Sequence, residues 1–233
     1  MDRISEISAL NNVFGSENLT KSSEKEFVNT IMPEQNKNSD KLYSPKTSLS
    51  PEETLDVVSG TYKGDKVQAF GITHYRYKDC APADLTDIGG GIKIHKKCAS
   101  AFRKMQQAAA KDGVALYIVS GYRSSKYQVT VFKKKFADKN YPTQSEMKSR
   151  LRFSAPSGFS EHHTGLAIDI NSTSQSFANT KMYKWLEEHA AEYGFELSFP
   201  KNGHQGLGFE PWHWRYVGDD ETKAVFAQAR NQQ

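Results

Sequence analysis

The chain has 233 residues, 37% of them hydrophobic and 25% charged, with 31 basic against 27 acidic residues and a net charge of +4. It contains no run of roughly 18 apolar residues to span a membrane, and its charge is too mild to argue for a nucleic-acid partner. Its two cysteines exclude both a disulfide scaffold and a cysteine-rich zinc site.

The average conceals a split. Residues 1–50 hold nine Ser and six Asn and little that builds a core, so residues 1–60 are expected to form a polar, flexible leader. Residues 1–66 carry 8 basic and 11 acidic side chains, which leaves 67–233 with 23 and 16, net +7. Two patches in the leader have helical spacing: Ile4, Ile7, Leu10 and Phe14, then Phe27, Val28, Ile31 and Met32 before Pro33. They read either as weak helices or as a signal for an export or docking partner, and the marginal stability of short helices favours the first. No basic start followed by an apolar stretch marks an ordinary secretory signal.

From residue 67 the texture becomes that of a folded domain, 67–233. Residues 67–77, rich in aromatic and β-branched side chains, predict a strand. A helix is predicted over 92–112, with Cys98, Phe102, Met105 and Ala109 on one face and Gly113 as its stop. Residues 114–119 predict a buried strand, 125–138 a helix, and 139–160 a long loop rich in Ser, Pro and Lys. A strand at 165–171 follows, then a helix over 178–193 closed by Gly194. Short strands near 195–199 and 206–217 and a helix at 219–230 complete the chain. Intermixed helices and short, turn-linked strands predict an α+β domain with a small, mainly antiparallel sheet and flanking helices.

Two segments carry the chemistry. In Ser160-Glu161-His162-His163-Thr164-Gly165-Leu166-Ala167-Ile168-Asp169, strand parity turns Leu166, Ile168 and Ile170 to the core and Asp169 away from it. In Glu210-Pro211-Trp212-His213-Trp214, a regular strand sends Glu210 and His213 to opposite faces. Pro211 favours a distorted edge strand whose twist aims both at one point, with Trp212 and Trp214 as walls. Each residue alone reads as a solvated carboxylate or an incidental histidine. Together, two histidines and one carboxylate make a zinc triad with a fourth position for water, and Glu210 stands by to take that water's proton. Neither segment has the helical HExxH spacing. A third segment, Ser120-Gly121-Tyr122-Arg123-Ser124-Ser125, follows a buried strand. Arg123 there either caps the next helix region or offers a guanidinium to a carboxylate or an oxyanion.

SGYRS, SEHHTGLAIDI and EPWHWRYVG, in that order, resemble the VanY-type D-alanyl-D-alanine carboxypeptidase family, within the LAS fold of zinc peptidases (lysostaphin, D-Ala-D-Ala peptidase and hedgehog types). The resemblance covers roughly 67–218 and leaves the leader unmatched. It implies one Zn2+ held by His162, Asp169 and His213, with Glu210 as the base that activates water and then protonates the leaving amine. It implies that Arg123 polarises the scissile carbonyl, that Ser160 binds the substrate and that Gln128 lines the cleft. Glu161 and His163 match no ligand position and read as outer-layer or surface residues. His204, in the turn KNGHQG, could reach the cleft, although the sequence does not require it.

The implied partner is a peptidoglycan stem peptide and the implied location the bacterial cell envelope, reached without a recognisable secretory signal in this chain. Oxidation of Cys80 and Cys98 would suit that compartment, closing a loop worth about 3 kcal/mol. An L,D-carboxypeptidase and a cross-link endopeptidase share the ligand set and stay open. So does a zinc-containing binding or signalling module, although such a module has no need of Glu210.

Overall fold

Among the described residues, eight short strands and seven α-helices build two apolar cores. The structure, a computed structural model, describes residues 48–136, 142–203 and 205–231. Helix α1 (Pro51–Ser59) leads into a hairpin, β1 (Lys66–Ala69) and β2 (Ile72–Tyr75), and a second hairpin, β3 (Leu85–Asp87) and β4 (Lys93–His95). Then come α2 (Lys96–Lys111), β5 (Ile118–Ser120), α3 (Ser125–Lys133), α4 (Gln144–Phe153) and β6 (Ala167–Ile170). The chain finishes with α5 (Lys181–His189), β7 (Phe195–Leu197), β8 (His213–Tyr216), α6 (Asp220–Val225) and α7 (Ala227–Arg230). β5, β6, β8 and β7 form one antiparallel sheet in that order, so the arrangement is the expected α+β one.

The parity read from the sequence holds on β6. Leu166, Ile168 and Ile170 enter the larger core with the α2 face of Cys98, Phe102, Met105 and Ala109. Burying each large apolar side chain contributes roughly 1.5–3 kcal/mol, so that face ties α2 firmly to the sheet. α2 ends before Gly113, whose φ of +69° supplies the left-handed stop. Trp214 also enters this core, with its Nε1 donating to the Pro211 carbonyl at 3.0 Å. Trp212 is partly buried and packs against the same cluster.

The second core is built by α1, the first hairpin, α3 and α4, with Val57, Val67, Ile72, Phe132, Met147 and Leu151 among its members. Three segments differ here from the sequence reading. Residues 67–77 are a hairpin rather than one strand, because Phe70 and Gly71 both take positive φ (55° and 75°), the pair a tight type I′ turn requires. Residues 51–59, assigned to the leader, form α1, which starts with a Ser50–Glu53 capping box and buries Thr54, Val57 and Val58. The long loop at 139–160 contains α4, opened by a capping box between Thr143 and Glu146. The leader patches at 4–14 and 27–32, and the docking or export role weighed for them, lie outside the described residues, as does His204.

Two further expectations are corrected. Cys80 and Cys98 are unpaired: α2 turns the Cys98 thiol into the apolar core, 3.8 Å from the Leu166 carbonyl, while Cys80 sits half-buried in the loop after β2. The strand expected over 206–217 is confined to β8, which lies between β6 and β7 and is therefore interior rather than an edge.

His74 on β2 joins the hairpin to α4. It is buried, and its Nε2 donates to the Leu151 carbonyl at 2.7 Å. Burial drives its pKa down to about 4, against the smaller upward pull of that carbonyl. A histidine pKa lowered by folding stabilises fully above pH 6.5, and that contribution drains away as pH falls from 6.5 towards 4. Denaturant unfolding of the metal-free protein at pH 7.5 and 5.0 is expected to show a loss of about 2 kcal/mol from this residue. The same difference measured on His74→Gln should lack that part of the loss.

Candidate functional site

Strand register assembles the site. Asp169 on β6 pairs with Ser120 on β5 and with His213 on β8, so three side chains line up across adjacent strands. Directly opposed residues in an antiparallel pair share a face, with Cβ atoms about 4.5–5.5 Å apart. Asp169 Oδ1 consequently lies 3.0 Å from His213 Nδ1. His162 arrives from a short 3₁₀ turn, Glu161–Thr164, just before β6. Gly165, at φ +65°, reverses the chain out of that turn, and a Cβ there would meet the His95 nitrogen at 3.0 Å.

His162 Nδ1 lies 2.7 Å from the Gly121 carbonyl, which can only accept, so Nδ1 carries the proton. Nε2 is left with its lone pair, 3.4 Å from Asp169 Oδ2. The two imidazole rings meet edge to face with centroids 4.8 Å apart. One ligand atom from each of His162, Asp169 and His213 lies within 4.8 Å of the others, and all three residues are buried. Two imidazoles and a carboxylate, one imidazole with its tautomer locked by a carbonyl, form a donor set that fits a zinc-type cation. Burial lowers the His162 pKa to about 4, which keeps the ring neutral. Burial also opposes protonation of His213, but the carboxylates of Asp169 and Glu161 outweigh it and raise that pKa. A cation binding here must therefore displace a proton from His213.

Glu210 reaches the site by a turn rather than a twisted strand. The His213 N–H donates to the Glu210 carbonyl at 3.1 Å, and β8 begins only at His213. The half-buried Glu210 carboxyl lies within electrostatic reach of His213, Asp169 and Arg123. Burial pushes its pKa up to about 7, with His213 pulling the other way. A carboxyl poised there suits proton transfer at neutral pH.

Arg123 lies in the loop after β5, with Nη1 3.5 Å from Ser120 Oγ. Gly121 in this loop has no room for a side chain, since a Cβ would meet the Lys93 carbonyl oxygen and Ile94 Cγ2 at 2.5 Å each. The Arg123 backbone is held at both ends: its N–H donates to the His162 carbonyl at 3.2 Å, and its carbonyl accepts from His163 Nδ1 at 2.6 Å. His163, fully buried, accepts at Nε2 from the Gly158 N–H at 3.0 Å. It is thus an internal strut, a role that no spacing rule in the sequence could disclose.

Ser160 is buried at the head of the 3₁₀ turn, and its side chain makes no capping bond there. Gln128 on α3 donates to the Ala155 carbonyl at 2.7 Å. Among the described residues, Arg123 Nε and Gln128 Oε1 are the buried side-chain polar atoms without a hydrogen-bond partner. Most buried polar atoms in native proteins are paired, so a donor and an acceptor are left ready for an incoming group. Glu161 was the member that sequence reasoning undervalued. It is buried, and its carboxylate accepts from His213, Arg215, Ser198 and Tyr77.

The chain also resembles known proteins. A family model described as VanY, D-alanyl-D-alanine carboxypeptidase, matches residues 91–219. The chain is 39% identical over 140 residues to a putative carboxypeptidase, YodJ, of Bacillus subtilis (strain 168), covering 57% of this chain and 49% of that protein. It therefore spans about half the length of that relative. A vancomycin-resistance D,D-pentapeptidase, VanY of a VanB-type cassette, solved in complex with Zn(II), aligns with a TM-score of 0.53 at 28% identity, over 66% of this chain and 89% of its own. The LdcB LD-carboxypeptidase aligns with a TM-score of 0.54 at 31% identity, over 67% and 79%.

The strut makes a stability prediction. His163→Leu leaves the Gly158 N–H and the Arg123 carbonyl without their partner, at about 1–3 kcal/mol for each group left unsatisfied. Urea unfolding should register a loss of that order, and His163→Gln, which can both donate and accept, should recover part of it.

Proposed function

The chain belongs to the VanY D-alanyl-D-alanine carboxypeptidase family, and from that premise we propose that it is a zinc-dependent peptidase acting on peptidoglycan stem peptides. Its reaction in this reading is D,D-carboxypeptidase cleavage, removal of the terminal residue from a peptide ending in D-Ala-D-Ala. The observation that carries the reading is the meeting of His162, Asp169 and His213 on one sheet face beside the near-neutral carboxyl of Glu210.

The three ligands would hold a single zinc ion, which when bound supplies a Lewis acid and brings the pKa of a water down to about 7. Glu210 takes the proton of the attacking water and returns it to the leaving amine, a role for which a pKa of about 7 is well placed. The Arg123 guanidinium, desolvated and with a free Nε donor, stabilises negative charge growing on the scissile carbonyl oxygen. Gln128 Oε1 accepts from a donor on the bound peptide, and the Ser160 hydroxyl serves the terminal carboxylate. Such a substrate places the working enzyme in the bacterial envelope. Among the described residues no helix is long and apolar enough to cross a membrane.

An L,D-carboxypeptidase is the second reading. The likeness to the LdcB LD-carboxypeptidase, 31% identical with a TM-score of 0.54, supports it. The two specificities share the metal ligands and differ in which peptide end they accept.

Mass spectrometry of purified muropeptides, incubated with the zinc-loaded protein, separates the readings. Loss of the terminal D-Ala from pentapeptide is expected. Loss from tetrapeptide instead assigns the L,D specificity, and absence of product under every metal condition rejects the enzyme. Glu210→Gln should keep wild-type zinc affinity in a chelator competition while its turnover falls by about 10²–10⁴-fold. His213→Ala should lose the metal.

A further inference from the structure

We propose that Glu161 is a positioning residue for the metal centre, its carboxylate fixing the His213 ring with Nδ1 turned to the ligand cluster. The proposal rests on the reading of His162, Asp169 and His213 as a zinc site and assigns that site's affinity in part to a residue outside the ligand set.

The geometry divides the two oxygens of Glu161 between distinct tasks. Oε2 lies 3.1 Å from His213 Nε2 and accepts from Ser198 Oγ at 2.6 Å, whereas Oε1 takes Arg215 Nη1 at 2.8 Å. A carboxylate only accepts, so the proton of His213 belongs on Nε2 when Nδ1 serves as ligand. Glu161 thereby fixes the ring at Nε2 and leaves Nδ1 facing Asp169. Sequence places these partners economically. The 3₁₀ turn that presents His162 also presents Glu161, so one turn delivers a ligand and the group that holds a different ligand. On β8, His213 and Arg215 are two residues apart and share a face.

A purely structural reading would make Glu161 the counter-ion of Arg215, which is fully buried. Arg215 already has another: its Nε lies 2.7 Å from Glu196 Oε1, which in turn takes Arg230 Nε at 2.9 Å. Neutralising Arg215 does not require Glu161 to reach His213. A carboxylate acceptor behind an imidazole orients the ring and raises its basicity as a ligand.

The test is zinc affinity, measured on the full chain after metal stripping, by competition with a chromophoric chelator. Glu161→Gln keeps the shape and a neutral acceptor but loses the charge; Glu161→Ala loses the acceptor as well. Zinc dissociation constants are expected to rise by roughly 10–100-fold, more for Ala than for Gln. Glu196→Gln, which removes a charge partner of Arg215 without touching His213, should lower the unfolding midpoint and leave zinc affinity at the wild-type value. Wild-type zinc uptake with unchanged affinity in both Glu161 variants would overturn this proposal alone. A wild type that takes up no zinc would overturn the metal reading together with it. Should Glu161→Ala fail to fold, the isosteric Glu161→Gln decides.

Discussion

Asp169 and His213 face each other across β6 and β8, and the register of that one pair governs what the rest of the site can be. A slip of a single residue would exchange the faces of every side chain on the strand. It would bring an isoleucine to the ligand position and a carboxylate into the apolar core. The strands are four residues long at most in this sheet, so the ladder bonds alone are too few to enforce the register. Enforcement comes from the opposite face, where Ile168, Ile170 and Trp214 lock into the cluster that α2 completes. Core packing on one side of the sheet therefore determines the geometry of the candidate site on the other.

The polar face raises the opposite problem. Glu161, His162, Asp169, His213 and Arg215 are all buried, and an isolated buried charge would be prohibitively unfavourable. The structure answers with pairing at every step: Asp169 between two imidazoles, Glu161 between His213 and Arg215, and Glu196 between Arg215 and Arg230. This chain of charges runs from Asp169 to the last helix described, α7. Its members restrain one another, so the side chains at the site are held by electrostatics as well as by packing.

What the sequence disclosed and what it hid follow from the range of each interaction. Parity on Leu166–Ile170 is a local property, and the inward and outward faces of β6 were legible from residue types alone. So was the buried face of α2. The turn at Phe70-Gly71 was not, because the residue pair that usually marks a type I′ turn is absent and a Phe, rarely found at positive φ, takes its first position. α4 announced itself only through the Thr143–Glu146 capping pattern, which a Ser- and Lys-rich composition obscured. The positions of Glu161 and His163 depend on contacts with residues some 40 to 50 places away in the chain. No spacing rule reaches that far, so two residues that looked incidental beside His162 prove to be internal supports.

The division into two cores separates the components of the candidate site. The residues read as performing the chemistry stand on or next to β5, β6 and β8, whose apolar faces belong to the larger core. Gln128 stands on α3, and its amide is fixed to the Ala155 carbonyl beyond α4, so it is carried by elements of the second core. The two sets are joined through a main-chain group: His163, in the turn before β6, receives the Gly158 N–H from the segment after α4. Main-chain partners are indifferent to side-chain identity. Substitutions within α3, α4 and their loops can thus reshape what surrounds Gln128 while leaving the hydrogen bonds that hold Arg123 and His162 intact. In the proposed reading, such an architecture would let one ligand set serve peptides with different ends, with the reaction carried by the strands and its specificity to be sought in the second core.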